Sequence, residues 1–144
     1  MDPYASRTHP YGSIWYGFLR KSDPDETLLL NELYSTSHFF ILPTEADCTP
    51  VVFPEASAFG LPSLSTLTGG VSSAVKESVN GHLFPRKTFV TDCVARVKEL
   101  YDHPDQYLTL RGRSFDRYQN ELNWESAATR VLQIMQDNQI LSQA

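Results

Sequence analysis

"HFFILPTEADCTPVVFPEASAFGLPSLSTL", residues 38–67, reads as a strand, a long joint, a helix and a second strand. The run "HFFILP" (38–43) is apolar and stopped by proline, the pattern of a strand buried on both faces of a parallel sheet. Pro54 fits only the first turn of a helix, where its missing N–H would have had no partner. The helix therefore starts between Pro50 and Phe53. Gly60 is a natural C′ stop and Pro62 prevents continuation. "PSLSTL" (62–67) is then the next strand.

The pattern extends in both directions. Upstream, residues 1–12 form a loose lead-in and "SIWYGFL" (13–19) is a strand candidate, aromatic and β-branched. "KSDPDE" supplies a helix start with Ser22 or Asp23 as cap, followed by Leu28, Leu29, Leu33 and Tyr34 at helical spacing. Downstream, "TGG" (68–70) is a turn, "VSSAVKESV" a short helix, "NG" (80–81) a second turn and "HLF" a short strand. Val90, Val94, Val97, Leu100 and Tyr101 make one face of a following helix. Pro104 opens another helix through about Leu122. Asn123 or Asn120 caps a last one carrying Trp124, Ala127, Ala128, Val131, Leu132 and Met135. Strands alternating with helices imply an α/β fold: a Rossmann-like parallel sheet with helices on both faces and extra C-terminal helices. Residues 13–144 read as one domain.

The chain has 144 residues and a net charge of −5, so no basic face points to nucleic acid or anionic lipid. Its two cysteines, Cys48 and Cys93, form neither a metal spacing nor a disulfide framework. The opening "MDPYASRTHPYGS" is too polar for a signal peptide, and no stretch approaches the ~20 apolar residues of a membrane helix. A cytoplasmic protein is the expectation, with a peripheral membrane position through a partner as the variant.

In open parallel sheets ligands bind outside the carboxyl ends of the strands. The joint "PTEADCTPVV" lies there. The N–H groups of Thr49, Val51, Val52 and Phe53 are candidate donors at a positive helix end, a recipe for holding phosphate, to which Pro50 and Pro54 cannot contribute. Asp47 and Glu55 flank this end and can accept from sugar hydroxyls. The alternative is purely structural: Asp47 or Thr49 caps the helix and Glu55 offsets its dipole. A carboxylate pair also suits glycoside hydrolysis, but these two straddle a helix start and need not face one bond.

The ordered set "D-CTPVVFP-E-ASAFGLP", Gly69–Gly70 and Asn80–Gly81 resembles retaining glycosyltransferases of family 4, the group 1 glycosyl transferases. The shared pattern is an acid, seven residues, Glu, then "A-x-A-x-G-x-P", "GG" and "NG". The resemblance runs from about Ser13 to near the C-terminus. It implies the C-terminal, donor-binding half of a GT-B fold, incomplete here. The implied reaction is transfer of a hexosyl group from a nucleoside diphosphate sugar to an acceptor hydroxyl with retention. That sugar nucleotide is the substrate, and no cofactor or metal is implied.

By the same resemblance Asp47 matches the first acid, which lies by the transferred sugar and is the catalytic candidate. Cys48, Thr49, Pro50 and Val51 match the loop that approaches sugar and diphosphate, and Val51 and Val52 the helix start facing the phosphates. Glu55 matches the acid that binds the ribose. The departures are Asp for Glu at 47, and "CTPV" where the family loop more often reads "GFGL", so Pro50 removes an N–H. The family's acceptor domain, and the first part of its donor domain with the diphosphate-neutralising Arg/Lys pair, have no counterpart in these residues. Arg20, Lys21, Lys76, Arg86 and Lys87 do not occupy that motif.

The implied partners are therefore an acceptor domain or a complementary chain, and a second copy through the exposed edge of an incomplete sheet. A different class of function is a non-catalytic α/β module that binds a nucleotide weakly or docks a partner. His38 and His82 read as structural, Cys48 as a small filler or a reactive thiol, and Trp15 and Trp124 as packing groups. Gly69–Gly70 reads either as a turn needing positive φ or as a close approach to the donor sugar.

Overall fold

A computed structural model describes residues 7–8, 12–48 and 50–138. They fall in two compact units, Met1–Thr36 and Ser37–Ala144.

In the first unit β1 (Arg7–Thr8) pairs antiparallel with β2 (Ile14–Trp15). The strand expected over 13–19 thus shortens to two residues, and its partner runs antiparallel rather than parallel. Trp15, expected to pack, is exposed. α1 (Pro24–Thr36) begins where Asp23 Oδ1 accepts from the N–H groups of Asp25 and Glu26, at 3.0 and 3.3 Å. Glu26 is buried, and Arg20 grips it through Nη2 and Nε, at 2.7 and 3.0 Å from Oε1. A buried carboxylate needs such a partner, because desolvation otherwise penalises its charge heavily.

The second unit is built on a parallel sheet of order β3-β4-β5, comprising β3 (Phe40–Leu42), β4 (Ser63–Thr66) and β5 (Gly81–Phe84). Phe40 pairs with Ser63, and Ser63 with Gly81. α2 (Val52–Ala58) and α3 (Val71–Ala74) cover one face, where Phe53, Val71, Ala74 and Val75 pack with Phe40, Leu42 and Leu83. α4 (Phe89–Asp102) covers the other, where Phe89 and Cys93 pack with Leu64, Phe84 and Phe39. Successive residues of β5, Leu83 and Phe84, serve opposite faces, as strand periodicity requires. Helices on both faces of a parallel sheet are the architecture the sequence pattern implied.

Three sequence expectations change. β4 is buried along its whole length, but Ile41 of β3 is 50% exposed. An apolar run ended by proline is equally compatible with the outer strand of a sheet. On α4 the buried stripe is Phe89, Cys93 and Leu100, whereas Val90 and Tyr101 are 73% and 84% exposed. The expected face is displaced by one position because Phe89 and Cys93 were left out of it. Burial pushes the Cys93 thiol up from its ordinary pKa, as expected of a packing group. Third, Gly81 is the first residue of β5 rather than a turn residue. The left-handed turn position is Ser78, at φ 59°.

α5 (Pro104–Arg117) continues through a π-helical turn at Tyr118–Leu122, and α6 (Trp124–Asp137) follows. Asn123 Oδ1 accepts from Ser126 N–H at 2.8 Å, settling the cap of α6. No residue of α6 is buried, and Trp124, read as a packing group, is 85% exposed. No helix among the described residues is long and apolar enough to cross a membrane.

Candidate functional site

The parallel register brings three connections to the carboxyl edge of the sheet: 43–51 after β3, 67–70 after β4 and 85–88 after β5. Asp47, Cys48, Pro50 and Val51 all lie on the first of these, and Val52 and Glu55 on the first turn of α2. Thr49 lies outside the described residues.

Short side chains fix the long joint from behind. Ser65 Oγ donates to Leu42 O at 2.6 Å, Thr66 Oγ1 to Thr44 O, and Thr68 Oγ1 to Glu45 O at 3.1 Å. Gly70 N–H donates to Asp47 O at 2.8 Å. The third connection contributes Arg86, which pairs with Glu45 on the solvent side. A serine–threonine run on a buried strand gives no apolar signal, so "SLST" reads from sequence only as a strand. The hydroxyls of Ser65 and Thr66 satisfy carbonyls at the end of β3 and in the joint that water would otherwise have to reach.

The pair Gly69–Gly70 has a reason the sequence reading left divided. Gly69 sits at φ 47°, so the turn does need a left-handed residue. A Cβ on Gly69 would stand 2.4 Å from Asp47 O, and one on Gly70 2.1 Å from Cys48 O. Both glycines are therefore required by contact with the candidate loop itself. Neither of the two sequence readings included that third cause.

α2 starts without a side-chain cap. Its cap position is Val51, at φ −62° and ψ −19°, and valine has no acceptor. Phe53 N–H donates to Pro50 O at 3.3 Å, so this amide, expected as a free donor, is used within the chain. The carbonyl of Pro50 closes the first turn and removes it. Among the described residues, Val51 N–H and Val52 N–H meet no backbone acceptor. Glu55 stands one turn in; it is half-buried, its Oε2 is shielded from solvent, and its own N–H donates to Val51 O at 3.1 Å. Cys48 is exposed.

The far end of α2 is fixed by a Schellman arrangement. Leu61 N–H reaches Ala56 O at 3.0 Å and Gly60 N–H reaches Ser57 O at 2.9 Å, with Gly60 at φ 63°. The glycine stop read from sequence is thus the one used. Beneath α2 and α3 lies a buried polar group that the sequence presents only as part of a turn and of the family pattern. Asn80 Nδ2 donates to Ser57 Oγ and Ala74 O, at 3.1 and 2.9 Å, and its Oδ1 accepts from Lys76 N–H and Arg117 Nη1. Arg117 also donates to Ser73 O and Ala74 O, each at 3.0 Å. The arginine sits far along the chain in a helix of mixed charge, where nothing in sequence marks it as buried.

The fold is shared with a known protein. Sucrose-phosphate synthase from Thermosynechococcus elongatus superposes on 83% of the chain with a TM-score of 0.65 at 24% identity, over 29% of its own length. That likeness shows the fold. Sulfoquinovosyl transferase SQD2 of Arabidopsis thaliana is 26% identical over 105 residues, 71% of this chain. The chain spans 20% of that relative's length. The model of the family "Glycosyl transferases group 1" matches residues 6–103, which include the whole carboxyl-edge joint and end at the last residue before α5. That match takes in more than half of the chain, which belongs to the group 1 glycosyl transferase family.

Proposed function

We propose that the chain forms the donor-binding part of a retaining hexosyltransferase, which takes the hexosyl group from a nucleoside diphosphate sugar. One observation carries the reading. Asp47 and Cys48 are seated at the carboxyl edge by backbone contacts that only glycine permits, and the joint leads into a helix whose cap has no side-chain acceptor. Such a helix start favours negative charge, and the effect is concentrated in the first turn.

In the proposed reaction the barrier is departure of the diphosphate as positive charge builds on the sugar. The N–H groups of Val51 and Val52 stabilise the leaving phosphate as oxyanion-hole donors do. Asp47 positions the sugar and favours positive charge at its anomeric end. Glu55 accepts from the ribose hydroxyls. The reading calls for no metal. Pro50 and the engaged Phe53 amide leave fewer donors than a glycine-rich loop would, so diphosphate affinity is modest and part of the phosphate charge falls to cationic groups outside these residues. Its seat would be the cytoplasmic compartment, with self-association through β3 as a further option.

Titration calorimetry with uridine, guanosine and adenosine diphosphates and their hexose derivatives tests the proposal. One of them binds, and Glu55→Ala weakens it about tenfold or more, as expected when hydrogen bonds to a charged acceptor are removed. Absence of binding for every nucleotide, or binding indifferent to Glu55→Ala in a folded variant, overturns it.

A further inference from the structure

The opposite, amino edge of the sheet carries a concave site. α4 comes back to this edge from β5, and α5 leaves it. Between them and the β5 entry lies a cavity of about 370 Å³, inside the size range of small-molecule sites. Leu100 and Leu110, both buried, give it an apolar floor.

Its polar lining converges from three elements. Asp105, Thr109 and Arg113 line it from successive turns of one face of α5. Arg96 enters from α4, paired with Glu99 at 3.0 Å, and keeps a third of its side chain accessible. His82, only 4% exposed, lines the cavity from β5. Its Nδ1 lies 2.6 Å from Glu77 Oε1, which places a proton on Nδ1 and leaves Nε2 to bond a ligand hydroxyl. Glu77 Oε2 in turn accepts from Leu83 N–H at 2.9 Å, so the carboxylate is held on both oxygens. At the rim stands Ser78, whose left-handed backbone carries strain for a non-glycine residue. Arg113 Nη1 reaches Ser78 O only at 3.4 Å, a long contact that spends little of a guanidinium's donor capacity.

Two arginines suit a phosphate, while Asp105 and His82 in the same cavity suit hydroxyl groups and disfavour a bare anion. We propose that this cavity is an accessory binding site for a small phosphorylated polyol. Arg113 and Arg96 take the phosphate, and Asp105, Thr109 and His82 Nε2 take the hydroxyls. The inference does not rest on the donor reading, since none of these residues belongs to the carboxyl edge.

Glucose 6-phosphate is the probe, titrated into the nitrogen-15-labelled 144-residue chain and followed by amide chemical shifts, with glucose and inorganic phosphate as comparison ligands. Ser78, Thr109 and Arg113 are expected to shift together and saturably. Half-saturation should lie at or below about 10 mM, the weak end of specific recognition. Glucose and phosphate each bind at least about tenfold more weakly, and Arg113→Gln costs the hexose phosphate about tenfold or more. Glu55→Ala leaves all of this unchanged, which separates the two sites. Arg113 is exposed, so the variant folds; matching amide spectra outside the cavity verify that. The proposal is overturned if no saturable shift appears, if inorganic phosphate binds as well as the sugar phosphate, or if Arg113→Gln has no effect.

Discussion

The two edges of the parallel sheet are held by opposite means. At the carboxyl edge the backbone is fixed by the smallest groups available: Gly69 and Gly70 against Asp47 and Cys48, and the hydroxyls of Ser65, Thr66 and Thr68 on loop carbonyls. Toward the amino edge the fixing is done by Asn80 and Arg117, long polar side chains sunk under α2 and α3. Small groups hold a loop in place without filling the space in front of it. Long buried groups fill theirs. The difference teaches how the two ends of α2 and α3 are held, by short contacts to a loop at one and by a filled polar interior at the other, while the amino-edge cavity lies apart from that interior, between α4 and α5.

Gly81→Ala is the sharpest way to break the contrast. Gly81 belongs to β5 beside the fully buried β4, and a Cβ there would stand 1.9 Å from Ser63 O. Neither strand can give way, because both are packed between helices. A loss of about 4 kcal/mol is expected. Set against the ~5–15 kcal/mol of an ordinary domain, that leaves urea unfolding at a far lower midpoint, or no cooperative transition. A midpoint close to that of the parent chain would show that the β4–β5 spacing is not what requires glycine.

Asn80→Leu comes next. The change is close to isosteric, so it tests polarity rather than volume. It strands Lys76 N–H, takes one acceptor from Arg117 and leaves Ala74 O with Arg117 Nη1 as its side-chain donor. Leaving buried groups unsatisfied, one of them charged, should cost about 3 kcal/mol. An unchanged slope with a lower midpoint in urea checks it. A neutral result would mean that Arg117 is satisfied by Ser73 O, Ala74 O and Glu121 alone.

Much of this was legible in sequence, and the limits have physical causes. The strand at 40–42, the start of α2 beside Pro54 and its Gly60 stop follow from proline and glycine geometry, which is local. The parallel order follows from strand–helix alternation. Asn80–Gly81 shows the opposite case. The pair reads as a turn, yet the left-handed residue is Ser78, Asn80 is a buried hub and Gly81 serves a neighbouring strand. Those roles depend on Ser57, Ser63 and Arg117, which only the tertiary fold brings together. The stripe on α4 was displaced for a related reason: Cys93 packs as a small apolar group, and a tally of valines and leucines misses it. At the site, the positions of Asp47 and Glu55 beside the helix start were readable. The engagement of Phe53 N–H by Pro50 O was not, because it depends on how the turn closes.

Gly70→Ala should have the smallest effect on stability and the largest on the proposed activity. Its Cβ would meet Cys48 O at 2.1 Å, nearly as close as at Gly81, but Cys48 is exposed and its loop has room to retreat into solvent. Retreat costs the bond from Gly70 N–H to Asp47 O and some loop order, about 1 kcal/mol in all. Asp47 and Cys48 move with it, and displacement of a positioning group by about 1 Å is enough to cost on the order of 100-fold in a reaction that relies on alignment. The variant is therefore expected to unfold at nearly the parent urea concentration while losing nucleotide-sugar binding in calorimetry. A second measurement separates this from general damage: the amide shifts of Ser78, Thr109 and Arg113 with glucose 6-phosphate should be those of the parent chain. If donor binding survives Gly70→Ala, the loop does not need its glycine seat. The glycines would then serve the turn at φ 47° alone, and the carboxyl edge would be fixed by the hydroxyls of β4.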